Sequence, residues 1–177
     1  MRLGSSTTIN TNPLPPDSCQ SSASSYFGNS KIPWHQGSDR KGYITLWPSS
    51  PNSGTCWDVS SRGSLTHNGG GDSQAIANMV GYAIEKYGVN RDRVYLTGGS
   101  SGAMMGNVMA ATYPQLFKAV SVYSGVPAGC FGSSSGGVAQ WNNSFSGGQS
   151  RASAEQWYVF PFFLSHFFSF WWVLLTD

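Results

Sequence analysis

The period of apolar and polar positions changes several times along this chain, and each change marks an element. "GYITLWPSS" (42–50) alternates and is rich in β-branched residues, so it predicts a buried strand that Pro48 stops. "PNSGTCWDVSSRGSLTHNGGG" (51–71) has no period and reads as a long loop, of a length at which loops are more often functional than not. From Asp72, which suits an N-cap, Ile76, Met79, Val80, Ala83, Ile84 and Tyr87 recur at helical spacing, and Gly88 falls in the C′ position. "RVYLT" (93–97) predicts a short strand, "SGAMMGNVMAATYP" (101–114) a second helix closed near Pro114, and "KAVSVYSG" (118–125) another strand. The order strand, helix, strand, helix, strand predicts an α/β fold, a parallel sheet flanked by helices.

Outside that stretch the patterning is poorer. Residues 1–18 are polar and interrupted by proline, and predict disorder or a wrongly defined start. Cys19 to Arg40 reads as mixed loop and short helix, and beyond Gly125 the chain turns Gly/Ser-rich, with Asn142 as a glycosylation candidate in Asn142-Asn143-Ser144. The expected domain covers residues 19–157, and residues 158–177, "YVFPFFLSHFFSFWWVLLTD", stand apart as an apolar tail.

Composition narrows the setting. At 177 residues the chain has room for one ordinary core. Charged residues are only 10%, well under the usual quarter, which suits an extracellular protein acting on uncharged polymers. A net charge of +2 with no basic cluster argues against nucleic acid and against a membrane surface. No secretory signal is visible, because no apolar run follows "MRLGSSTTINTNPLPPDS". Cys19, Cys56 and Cys130 have no metal-ligand spacing, so no metal site is expected. Three buried thiols are one reading, and one bridge plus an orphan is the other. Within the second, Cys19–Cys56 with Cys130 unpaired ranks just ahead of Cys56–Cys130, since spacing does not fix connectivity.

The chemistry centres on Gly98-Gly99-Ser100-Ser101-Gly102. A serine between a strand and a helix, with small residues two before and two after, has the form of a nucleophile elbow. The glycines Gly98 and Gly102 let strand and helix approach, and Ser100 is the candidate nucleophile. The alternative is a structural turn in a chain with 22 glycines. Ser101 lacks the flanks of a nucleophile, but its backbone N–H is the natural first donor of an oxyanion hole.

"LTGGSSGAMMGNVMAATYPQLFKAVSVYSGVPAGCF", the loop with "CWDVSSRGSLTHNGGGDSQAIANMV", and "SSYFGNSKIPWHQGSDRKGYITLWP" together resemble the fungal acetylxylan and feruloyl esterases of carbohydrate esterase family 1, related to polyhydroxybutyrate depolymerases. The resemblance runs from about Cys19 to Cys130. It implies an α/β-hydrolase, a secreted serine esterase acting on acyl esters of plant xylan, monomeric and without metal or organic cofactor. It also implies that Ser100 is the nucleophile and that Gln20, in the loop segment at Cys19-Gln20, supplies a second oxyanion donor. The family's histidine before that cysteine is missing, because position 17 is Asp17. Feruloyl or polyester substrates on the same fold, a non-catalytic carbohydrate-binding remnant using Trp34, Trp47 and Trp57, and a protein anchored by its tail are the competing readings.

In α/β-hydrolases the triad runs Ser, then Asp or Glu, then His. After Ser100 this chain has only Glu155, Asp177 and His166, all at or beyond the end of the resemblance. His35 and His67 precede the serine and read as loop histidines, with His67 a possible cleft residue. The apolar run of the tail is shorter than the roughly 20 residues a membrane span needs. Its codons permit an intron donor across Trp157-Tyr158-Val159 and a branch-like site near Leu175-Thr176, so intron read-through after "SAEQ" and an inactive, incomplete hydrolase are the expectation.

Overall fold

The computed structural model describes residues 7–10, 34–52, 55–132 and 147. The expectations placed on Cys19, Gln20, Asn142, Glu155, His166, Asp177 and the apolar tail lie outside the described residues. In chain order the elements are β1 (Thr7–Asn10), α1 (Trp34–Lys41), β2 (Ile44–Leu46), α2 (Asp72–Tyr87), β3 (Val94–Gly99), α3 (Ser101–Thr112) and β4 (Ala119–Tyr123). Single 3-10 turns at Arg91–Arg93 and Pro114–Leu116 lead into β3 and out of α3.

The strands form one parallel sheet in the order β2-β1-β3-β4. This is the expected α/β architecture. The strand at its centre is the surprise: where the sequence predicts disorder in residues 1–18, Thr7–Asn10 forms β1, pairing Thr7 with Ile44 on one side and with Val94 on the other. The run Thr7-Thr8-Ile9 is β-branched and fits a pleated strand, but four residues among polar and proline-rich neighbours carry little signal until two partners take up their backbone groups. His35 likewise falls within α1, not in a loop.

One face of the sheet is packed. Val94 and Leu96 of β3 point into a core with Ile76, Val80 and Ala83 of α2 and Met105, Val108 and Met109 of α3. Tyr95, on the opposite face of β3, and Tyr123 of β4 are exposed. Ten of the twelve residues of α3 are buried, which explains why its sequence is apolar all round and shows no amphipathic stripe. Trp57 is 4% exposed and sits in this core, so it is not available for stacking on a sugar. Among the described residues, no helix is long and apolar enough to cross a membrane.

Two details of α2 differ from its sequence pattern. Asp72 is its first helical residue, with Gly71 in the cap position and no side-chain cap bond. The buried Asp72 carboxylate instead ties down the preceding loop, accepting from Asn52 Nδ2 at 2.7 Å and from the Asp58 backbone N–H at 2.8 Å. Met79 and Tyr87 keep the helical period but are exposed, at 39% and 59%, because the buried stripe passes through Ile76, Val80 and Ala83 and leaves them on its margin. Gly88 ends the helix at φ 65°, the left-handed conformation that glycine adopts without a Cβ penalty.

The long loop before α2 is built around carboxylates. Asp58 accepts from the backbone N–H groups of Ser60 and Ser61 at 3.1 and 2.9 Å, and from the Ser61 hydroxyl. Ser64 Oγ accepts from the Asp72 N–H at 3.0 Å, and the Ser64 carbonyl accepts from Ser73 Oγ at 2.6 Å. Burial pushes the Asp58 carboxyl up, and hydrogen bonds from Ser61, Ser60 and Ser64 outweigh it, so the carboxyl lies below its ordinary value. A depressed folded-state pKa means that this stabilisation is fully present above the unfolded value, near 3.8, and is lost as pH falls through the folded value. Asp58→Ala is expected to cost about 1 kcal/mol at neutral pH, since solvent around a partly exposed carboxylate weakens hydrogen bonds to its charge. Thermal melts in acid and at neutral pH check this: the gap between wild type and variant closes in acid, and a gap independent of pH contradicts it.

Candidate active site

β3 delivers Ser100 to the carboxyl end of the sheet. Val94, Leu96 and Gly98 are buried and the residues between them are not, so the strand reaches the turn with its packed face fixed by α2 and α3. Ser100 then has φ 53° and ψ −123°, a region that costs a non-glycine residue about 1–3 kcal/mol and persists only where the surroundings impose it. Its N–H donates to the Tyr123 carbonyl of β4 at 3.0 Å. Its carbonyl accepts the Met104 N–H at 3.0 Å, the first hydrogen bond of α3. The turn is thus held from the neighbouring strand and from the helix together.

Gly98 and Gly102, the small residues expected on either side, are both buried where strand and helix meet. Ser101 is 1% exposed, and its hydroxyl has no hydrogen-bond partner. Its backbone N–H is one of the amides of the first turn of α3, which sit at the positive end of the helix dipole. A negative charge developing on an oxygen beside Ser100 meets those amides and that dipole. Among the described residues, no side chain hydrogen-bonds to Ser100 Oγ.

His67 does not line this site. Its Nδ1 lies 2.7 Å from the Thr112 carbonyl and its ring packs on Tyr113, with centroids 4.5 Å apart. Thr112 ends α3 and Ser100 precedes it, so at 1.5 Å per residue His67 is fastened about 18 Å along the helix from the serine. The neighbouring Asn68 N–H donates to the Tyr113 hydroxyl at 3.0 Å, a second tie between the loop and the end of α3. His67 is therefore a clasp, and His67→Ala is expected to cost about 1 kcal/mol of stability, read as a lower thermal midpoint with the Ser100 turn unchanged.

Cys56 is disulfide-bonded and Cys130 is a free thiol, which rules out the Cys56–Cys130 bridge and leaves Cys130 unpaired, as in the preferred reading. Burial pushes the Cys130 thiol up, away from the thiolate form. Among the described residues, no group of three or more His, Cys, Asp or Glu is placed to hold a metal ion.

A parallel strand that runs into a left-handed serine, with a buried helix starting at the next residue, is how an α/β-hydrolase presents its nucleophile, and the fold defines the class. The particular family follows from the sequence, since the model for "Esterase PHB depolymerase" matches residues 16–153 and the chain belongs to that family. It is 55% identical over 139 residues to the probable acetylxylan esterase A of Aspergillus fumigatus, a match covering 78% of this chain and 37% of that protein. With acetylxylan esterase A of Emericella nidulans the identity is 53% over 139 residues, covering 78% of this chain and 45% of that one. The solved acetyl xylan esterase from Aspergillus awamori superimposes with a TM-score of 0.78 at 46% identity, over 89% of this chain and 55% of that structure. The match therefore covers less than half the length of each of these two curated relatives, and β1 precedes the range that the family model covers.

Proposed function

We propose that this chain carries the nucleophile-bearing part of a serine carboxylic ester hydrolase that removes acetyl groups from xylan. The observation that carries the reading is Ser100 at φ 53° between β3 and α3. The relatives' names, each an acetylxylan esterase, supply the substrate class. Ser100 Oγ attacks the acetyl carbonyl while an imidazole from outside the described residues takes its proton. The carbonyl oxygen becomes an oxyanion, to which the Ser101 N–H donates. Collapse expels the sugar hydroxyl, which takes the proton back, and leaves acetyl-Ser100; water then releases acetate by the same steps. Gln20 is proposed as the second oxyanion donor, and no metal or organic cofactor enters the scheme. Low charge and the xylan substrate support an extracellular site of action.

The test uses Emericella nidulans acetylxylan esterase A rebuilt with residues 16–132 of this chain in place of its own matching segment. Acid-quenched turnover of an aryl acetate is expected to leave an acetyl adduct within residues 94–118, fragmenting to Ser100. An adduct on Ser101 or elsewhere, or turnover with no covalent intermediate, would overturn the proposal.

A further inference from the structure

The turn after β4 is fastened to the start of α3 at three points. The Ser100 N–H donates to the Tyr123 carbonyl, one residue beyond the last register pair, Gly99 with Tyr123. Gly125 approaches α3 so closely that a Cβ there would stand 2.6 Å from the Ala103 Cβ and 2.8 Å from the Met104 backbone nitrogen, so only glycine fits. Asn107, half-buried on the second turn of α3, donates Nδ2–H to the Val126 carbonyl at 2.9 Å. Between these points Ser124 has φ 58°, close to the 53° of Ser100. Two serines at the ends of adjacent strands are thus both in a region that residues with a Cβ avoid, and such conformations persist where the surroundings over-determine them.

We propose that Asn107 is a positioning residue for Ser100, acting through the turn from Tyr123 to Val126. Its amide pins the Val126 carbonyl, Gly125 seats the turn against Ala103 and Met104, and the turn holds the Tyr123 carbonyl where it receives the Ser100 N–H. The direction of the Ser100 hydroxyl then depends on a side chain that does not touch it. The functional half of this inference rests on Ser100 being the nucleophile; the geometric half does not. A residue that merely braced α3 would have a different reach, since its loss would loosen the whole helix, whereas loss of the latch frees only the turn and the amide it restrains.

Hydrogen exchange on the full 177-residue chain separates the two and needs no turnover. Asn107→Asp removes both N–H donors at constant size, and Asn107→Ala removes the group altogether. In either variant the Ser100 amide is expected to exchange about tenfold faster, the loss of roughly one net hydrogen bond, while the amides of residues 105–112 stay within about twofold of wild type. Asn107→Gln, which keeps the donor, is expected to recover part of the Ser100 protection. An unchanged Ser100 amide, uniform acceleration along α3, no recovery with glutamine, or loss of the fold in both variants would each overturn the assignment. An acetyl adduct that maps away from Ser100 would instead defeat the nucleophile reading and leave the latch standing.

Discussion

Ser100→Ala in the rebuilt esterase is expected to lower kcat about 10⁶-fold, leaving only the acceleration that binding and the oxyanion site provide. The magnitude follows from the role: a nucleophile acts in one unit with its base, so removing it costs nearly as much as removing the whole set. The geometry makes the result specific. No other hydroxyl occupies the strand-to-helix turn, since Ser101 is already the first residue of α3, buried to 1%. KM should change little, because the missing group makes its bond only along the reaction. Initial rates on an aryl acetate, with circular dichroism to establish the fold, decide it. Losing less than about a hundredfold would mean that Ser100 is not the attacking group.

The 177-residue chain by itself is expected to hydrolyse acetyl esters well below about 1 s⁻¹, the low end of ordinary turnover. A serine hydroxyl without a general base stays protonated and attacks poorly at neutral pH. Among the described residues the only histidine with a described side chain is His67, and its Nδ1 is committed to the Thr112 carbonyl, at the far end of α3 from Ser100. His67→Ala should therefore leave the rate of the chain, and that of the rebuilt esterase, within about twofold of their parents, since it touches only the clasp. Turnover near 1 s⁻¹ from the chain alone, abolished by Ser100→Ala, would contradict this and show that another group in the chain serves the serine.

The course of the chain from Ile44 to Tyr123 was legible in the sequence because every element there signals itself locally. The alternation of Val94 to Thr97, the helical period from Ile76 to Ala83 and the glycines at 98 and 102 each act within a few residues, where sterics and burial set the pattern. They determined the α/β class, the position of the elbow and the identity of Ser100 as the candidate nucleophile. Residue pattern also placed an N-cap at Asp72, where the structure puts Gly71 in the cap position and Asp72 first in the helix. It did not say which carboxylate takes which amide.

Only the tertiary structure decided the rest. β1 is four residues whose strand character comes from partners 37 and 87 positions away, Thr7 with Ile44 and with Val94. His67 looked free to enter a cleft, and what removes it is a carbonyl 45 residues further on. Asn107 carries no motif at all, and its reach to Val126 exists because β4 returns the chain alongside α3. Local sequence fixes backbone conformation through steric preference and burial through period. Which distant groups meet is set by how the packed face of the sheet brings its helices and loops together, and no window of neighbouring residues contains that information.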